Sequence, residues 1–141
     1  MKRKFRTEAR VAFADTDAMG VAYHANYLRW FENGRSALLR EIGFPYTELE
    51  KIPIWMPIAE AGLKYKASAR YDEVLEIVTQ FSAVGHVSFT VTYEVFNKDT
   101  GELLVTGFTR HGLTDDKMRP VKLGKVYPEF YNVLIDALGD D

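Results

Sequence analysis

Hydrophobic and polar residues alternate near the start of the chain: Phe5, Thr7, Ala9, Val11 and Phe13 share one parity, Arg6, Glu8, Arg10 and Ala12 the other. That period of two predicts a strand with one buried face. After the stretch DTDAMGVAYHANYLRWFE, Asp15 to Glu32, the period changes. Tyr27, Phe31, Gly34, Leu38 and Ile42 recur at steps of three and four, and Trp30, Ala37 and Leu39 widen the stripe. The spacing predicts about four turns of helix, from near Asn26 to Glu41. Gly43 and Pro45 stop it, as these residues do just beyond a helix.

Most of the remaining chain has strand character. Trp55 to Lys66 is extended, with Leu63 and Tyr65 on one face. Leu75, Ile77, Phe81 and Ala83 alternate with Glu76, Gln80 and Ser82, and Gly85-His86 offers a tight turn. Val87, Phe89, Val91, Tyr93 and Val95 then alternate with Ser88, Thr90, Thr92 and Glu94. Asn97 to Gly101 forms a longer polar turn before a strand from Leu103 to Leu113. A last helix is expected from Pro128 to about Leu138, with the proline in its first turn.

These elements predict an α+β domain, with a five-stranded antiparallel sheet whose later strands are joined largely by hairpins. No repeat, low-complexity tract or linker interrupts residues 1–141, so a single domain is expected. One long helix cannot cover both faces of such a sheet. Thr90, Thr92 and Glu94 give one face polar character, so that face either meets water or meets a second subunit; the reading favours an oligomer.

Composition removes several function classes. With no cysteine there is no disulfide framework, thiolate metal site or cysteine nucleophile, and nothing points to an oxidising compartment. A cytoplasmic location is expected. The basic start, MKRKFRTEAR, is followed by neither an apolar signal core nor a run of about 18 apolar residues, so no signal peptide or membrane span is expected. Eighteen basic against 20 acidic residues, a net charge of -2, give no general attraction for a nucleic-acid backbone. A small anion could still be held by local cations. His24, His86 and His111 do not stand at metal-ligand spacing, and no glycine-rich phosphate loop is present.

The chemistry gathers around Asp17, Gly20 and the run His24-Ala25-Asn26-Tyr27, followed by Trp30-Phe31-Glu32. This order resembles the signature of the hot-dog-fold acyl-CoA thioesterases of the 4-hydroxybenzoyl-CoA thioesterase type. AEAGLKYKASARYDEVLEI is similar to that family's second strand, the loop after it and the entry to the third strand. The resemblance covers roughly the first 115 residues. It implies a five-stranded sheet wrapped around one long central helix, a small-molecule acyl-CoA substrate hydrolysed to acid and free coenzyme A, and a homodimer or homotetramer with its site at the subunit interface. Coenzyme A would be part of the substrate, and no separate cofactor is expected.

Thioester hydrolysis needs an attacking oxygen and a place for the charge that develops on the carbonyl oxygen. Asp17 could attack carbon or activate water. Gly20 would let the backbone turn closely beside it. The helix start offers unpaired N–H groups and a positive dipole end; the backbone N–H of His24 or a neighbour is the candidate donor, which is also where the resemblance puts it. The His24 ring is a candidate proton carrier.

Structural roles compete with these. Asp15 is read as a turn residue. Asn26 is read first as a helix cap, with orientation of the carboxylate or water as the alternative. Tyr27, Trp30 and Phe31 fit a core stripe, though Tyr27 could line the acyl end of a pocket. Glu32 is read as solvated. Lys64 and Lys66 point the same way on a strand and, with Arg70, could bind phosphates or simply protect an edge strand. By resemblance, Gly85, His86 and Val87 could accompany the pantetheine arm. Two other readings stay open: a hot-dog hydratase or dehydratase, and a non-catalytic module that binds acyl thioesters or lipids.

Overall fold

The computed structural model describes residues 3–139. Met1, Lys2, Asp140 and Asp141, included in the expected single domain, lie outside the described residues. The strands are β1 (Phe5–Arg10), β2 (Ile58–Tyr65), β3 (Val74–Val84), β4 (Ser88–Asn97) and β5 (Leu103–Gly112). The helices are α1 (Asn26–Glu41), α2 (Tyr46–Leu49), α3 (Leu123–Val126) and α4 (Pro128–Leu138). All five strands form one antiparallel sheet in the order β1-β3-β4-β5-β2. The two strands that flank α1 in sequence therefore become the sheet's edges, and the two hairpins make its centre.

α1 buries Tyr27, Trp30, Phe31, Gly34, Leu38 and Leu39, the stripe its spacing predicts. Against them stand Leu75, Ile77, Phe81, Val91, Tyr93 and Val105, each at most 1% exposed. Two glycines set how closely helix and sheet approach. A Cβ on Gly34 would lie 2.6 Å from Thr79 Cγ2 and 2.8 Å from Ile77 Cγ2. A Cβ on Gly107 would lie 2.6 Å from the Phe31 ring, which stacks on Tyr93 at 4.2 Å. α4 adds Phe130 and Leu134 to the same apolar cluster, with Phe130 against Phe44. The opposite sheet face carries Arg6, Glu8, Glu76, Gln80, Thr92, Glu94 and Lys64, interrupted by Val78 and Phe108. Among the described residues, no helix is long and apolar enough to cross a membrane.

Several details differ from the sequence reading. β1 stops at Arg10, and Phe13 opens a 3-10 turn (Phe13–Asp15) with its ring 76% exposed. The cause is local: the Asp15 carboxylate accepts the Ala12 N–H at 2.8 Å and folds the chain back on itself. Ala83 is exposed because a bulge between Phe81 and Ala83 breaks the alternation of β3. The short helices α2 and α3 lie in stretches too brief for periodicity to identify.

Candidate active site

After β1 the chain makes a compact loop before α1. The Asp17 N–H donates to the Val21 carbonyl at 2.9 Å, and the Gly20 N–H donates to the Asp17 carbonyl at 3.0 Å. Gly20 has φ +80°, a left-handed conformation that glycine adopts without strain. The loop is fastened at both ends: the Ala22 N–H donates to the Ala69 carbonyl, and the Tyr23 N–H to the Asp15 carbonyl, each at 2.8 Å.

The two aspartates part in role. Asp15, 9% exposed, pairs through Oδ1 with Arg29 Nη2 at 2.5 Å. Asp17 is half-buried, and its Oδ1 accepts the Met19 N–H at 2.8 Å, a turn-closing bond typical of aspartate. Among the described residues, Asp17 Oδ2 has no hydrogen-bond partner. Asp17 thus serves the loop with one oxygen and leaves the other unengaged among the described residues.

Asn26 does not cap α1. The cap is Ala25, already in helical geometry (φ -72°, ψ -17°), and no side chain bonds to the end of the helix. A side-chain cap needs an extended backbone at that position. Asn26 Nδ2 instead donates to the Asp15 carbonyl at 2.8 Å and ties the helix start to the loop. The N–H groups of His24 and Ala25 meet no protein acceptor among the described residues.

Asp17, Val21, His24, Tyr27, Tyr65 and Lys66 line one hollow of about 300 Å³. Tyr27, 2% exposed, has its hydroxyl against the Ala69 N–H at 3.2 Å and its ring edge-on to Tyr65 at 5.7 Å. Burial pushes the Tyr27 hydroxyl pKa up, so the group stays protonated at neutral pH. The Tyr65 hydroxyl donates to the His24 carbonyl at 3.0 Å, closing the hollow between the end of β2 and the start of α1. The His24 ring is exposed and packs on Tyr23 at 4.5 Å.

Other candidate residues fall elsewhere. Lys64 and Lys66 do not share a side: β2 ends at Tyr65, and the N–H groups of both Lys66 and Ala67 converge on the Leu104 carbonyl, breaking the alternation. Lys66 lines the hollow with Asp17; Lys64 lines a different one on the polar sheet face with Thr92 and Phe108. The Arg70 backbone bridges to Val21, but its side chain does not line the hollow. Gly85, His86 and Val87 sit beyond the far end of β3, roughly 30 Å along an eleven-residue strand from the Asp17 end. There the His86 ring stacks on Tyr131 at 4.9 Å. Within one chain this hairpin and Asp17 do not meet. Glu32 is exposed on α1 and does not line the hollow.

The sequence reading passed over a buried polar chain along the other half of α1. Arg35 Nη1 donates to the Tyr93 hydroxyl at 3.0 Å; that hydroxyl lies 2.7 Å from Thr109 Oγ1, which lies 2.9 Å from His111 Nε2. His111 Nδ1 stands 3.0 Å from the Met56 carbonyl. Burial lowers the His111 pKa to about 4, so the ring is neutral at pH 7. The Met56 carbonyl can only accept, so Nδ1 carries the proton and Nε2 accepts from Thr109. Thr109 then accepts from Tyr93, and every bond runs one way from Arg35 to Met56. Inward parity on β4 and β5 was the available signal, because Tyr93, Thr109 and His111 alternate in step with Val91, Val95 and Val105.

Residues 11–134 match the family model described as the thioesterase-like superfamily. YneP of Bacillus subtilis (strain 168), provisionally named an acyl-CoA thioesterase, is 32% identical over 127 residues, 89% of this chain and 91% of that protein. The acyl-CoA thioester hydrolase YbgC of Escherichia coli O6:H1 is 34% identical over 95 residues, 67% of this chain and 71% of that protein. Among solved structures, a DHNA-CoA thioesterase from Staphylococcus aureus superposes with a TM-score of 0.89 at 32% identity, covering 94% of this chain and 89% of that one.

Proposed function

Because the chain belongs to the thioesterase-like superfamily, we propose that it hydrolyses acyl-CoA thioesters to free acid and coenzyme A in the hollow between Asp17 and the start of α1. The named relatives support the substrate class. One observation carries the location: Asp17, the only carboxylate among the described residues that line that hollow, shares it with His24 and Tyr27 at the start of the longest helix.

A thioester carbonyl seated there would have Asp17 on one side and the unpaired His24 and Ala25 N–H groups on the other. Those donors and the helix dipole favour the oxyanion that forms as the carbonyl carbon becomes tetrahedral. Asp17 either adds to that carbon, giving an anhydride that water then cleaves, or takes a proton from the attacking water. The carbon–sulfur bond breaks and the thiolate takes a proton; the water oxygen leaves in the acid when water attacks the acyl carbon, and stays in the Asp17 carboxyl when water cleaves an anhydride on its Asp17 side. The His24 ring is the nearby group suited to supply that proton.

Lys66 supplies a local cation for an anionic part of coenzyme A. The β3–β4 hairpin, Gly85 to Val87, joins the hollow only by way of a second subunit, which fits a homodimer or homotetramer. The polar sheet face and the edge strand β2 are surfaces on which such an assembly could form.

Steady-state release of free thiol from a panel of acyl-CoAs, by wild type and by Asp17→Asn, tests this reading. Wild type should turn over at least one substrate, and the substitution should lower kcat by 100-fold or more, on the order of what a positioned acid or base contributes. An undiminished rate in Asp17→Asn defeats the mechanism. Binding without thiol release by wild type would favour a non-catalytic module. In single-turnover hydrolysis in ¹⁸O water, label in the Asp17 carboxylate establishes attack on carbon, because general-base hydrolysis puts the water oxygen only in the product acid.

A further inference from the structure

We infer that Tyr65, the last residue of β2, is a positioning residue for hydrolysis: its hydroxyl holds the turn of backbone that presents the His24 and Ala25 N–H groups to the thioester oxygen. This role deepens the hydrolase reading and rests on it. Tyr65 acts through the backbone rather than on the reacting atoms.

The turn has few bonds of its own. The Asn26 N–H donates to the Tyr23 carbonyl at 2.9 Å, closing four residues with His24 and Ala25 at the centre. That bond leaves the central peptide, from the His24 carbonyl to the Ala25 N–H, untied. α1 does not tie it either, because the Leu28 N–H donates one residue further on, to the Ala25 carbonyl at 3.2 Å. No side chain caps the helix. Among the described residues, the one donor that meets the His24 carbonyl is the Tyr65 hydroxyl, at 3.0 Å.

Planarity carries the consequence across the peptide. The His24 carbonyl and the Ala25 N–H lie in one plane and point in opposite directions, so a bond that fixes the oxygen fixes the hydrogen. His24 is then held on both sides, by the Tyr23 carbonyl bond before it and the Tyr65 bond after it, and its own N–H keeps its direction. Donors aimed in advance stabilise a developing oxyanion without reorganising. A bond on a peptide oxygen also polarises the N–H of the same peptide.

The tyrosine is braced for this task. Its ring is edge-on to Tyr27 at 5.7 Å and to the His24 ring at 6.4 Å. Tyr27 is in turn edge-on to Trp30 at 5.0 Å, and both are 2% exposed, so the brace runs into the core. Tyr65 itself lines the Asp17 hollow and is 51% exposed. At that exposure water competes for both partners of its bond, which therefore adds little to stability.

Tyr65→Phe removes the hydroxyl and keeps the ring. Thiol release is measured from pH 6 to 9 for wild type, Asp17→Asn and Tyr65→Phe, on the acyl-CoA that wild type turns over fastest, with urea unfolding alongside. Tyr65→Phe should lower kcat by about 5- to 30-fold, less than the roughly 100-fold that losing a donor outright costs. KM should stay within about twofold, the factor in kcat should be the same at every pH, and the urea midpoint should hold. Tyr65→Leu, which also strips the ring from the wall, should lower kcat at least as far and raise KM as well.

Undiminished kcat in Tyr65→Phe, beside lost turnover in Asp17→Asn, overturns the role of Tyr65 and leaves the hydrolase reading standing. A raised KM at constant kcat overturns it too, because the hydroxyl then binds substrate instead of aiming donors. A factor that changes with pH overturns it by making the hydroxyl a proton carrier in its own right. If wild type releases no thiol from any substrate, the hydrolase reading fails and the role of Tyr65 falls with it.

Discussion

The Asp15 carboxylate meets the Arg29 guanidinium at 2.5 Å, and Asp15 accepts the Ala12 N–H through its other oxygen. Two residues later Asp17 has no cation partner among the described residues. The nearly buried acid is therefore tied into the structure on both oxygens, while the half-buried acid keeps one oxygen that nothing among the described residues engages. A crossed result is expected: Asp15→Asn lowers unfolding free energy by about 1–3 kcal/mol with kcat little changed, the range for a hydrogen bond to a charged group. Arg29 is half exposed, so solvent screening holds the loss towards the lower end. Asp17→Asn should do the reverse. Denaturant unfolding and thiol release on the same two variants check it.

Tyr27→Phe tests the wall of the hollow. The phenol oxygen is the acceptor for the Ala69 N–H at 3.2 Å, and Ala69 is fully buried. Without it that N–H is left unsatisfied, at a cost of about 1–3 kcal/mol. The strap from Lys66 to Arg70 should loosen as well, and faster amide exchange at Ala69 and Ala22 should report it, with Ala22 bonded to the Ala69 carbonyl.

Periodicity made α1 and α4 legible, because both bury a stripe at steps of three and four and are closed by glycine or opened by proline. The sheet followed from alternation, and the junction of loop and helix from the stretch around Asp17. What escaped was set by contacts between distant segments. Asn26 failed as a cap because the Asp15 carbonyl takes its amide. Lys64 and Lys66 part because Leu104 accepts two N–H groups at the end of β2. Arg35 reads as an ordinary charged helix residue until Tyr93 is folded beneath it.

Glycine substitutions test the spacing between α1 and the sheet. Gly34→Ala would gain up to about 1 kcal/mol in helix propensity. It would also press a methyl to 2.6 Å from Thr79 and 2.8 Å from Ile77, both stiff β-branched side chains in the core. Overpacking of that kind costs about 1–3 kcal/mol, so the net effect is destabilising. Gly107→Ala should be worse. Its Cβ would lie 2.5 Å from the Gly62 carbonyl oxygen, a backbone atom that cannot swing aside as a side chain can. Midpoints of urea unfolding should rank wild type above Gly34→Ala and Gly34→Ala above Gly107→Ala.

His111 makes stability depend on pH in a defined window. Its ring is 2% exposed, and burial is the main cause of a pKa lowered from 6.5 to about 4. The Met56 carbonyl opposes that shift, and the nearby Arg35 charge adds to it. Between those two values the unfolded chain binds a proton that the folded chain refuses, so unfolding free energy rises with pH there. The stabilisation is complete above pH 6.5 and is lost as the solution is acidified towards pH 4. Its full size, from a shift of this extent, is on the order of 3 kcal/mol. Asp115 acts in the same direction but in a lower window, because the Arg119 N–H first, and then Lys117 and the Arg119 side chain, hold its carboxyl below the ordinary range. Urea unfolding at pH 7, 5.5 and 4.5 should therefore show wild type losing more stability than His111→Gln, which lacks the titrating ring. Parallel losses in the two proteins would mean that His111 does not carry the dependence, and that the directional chain from Arg35 to Met56 admits a second proton.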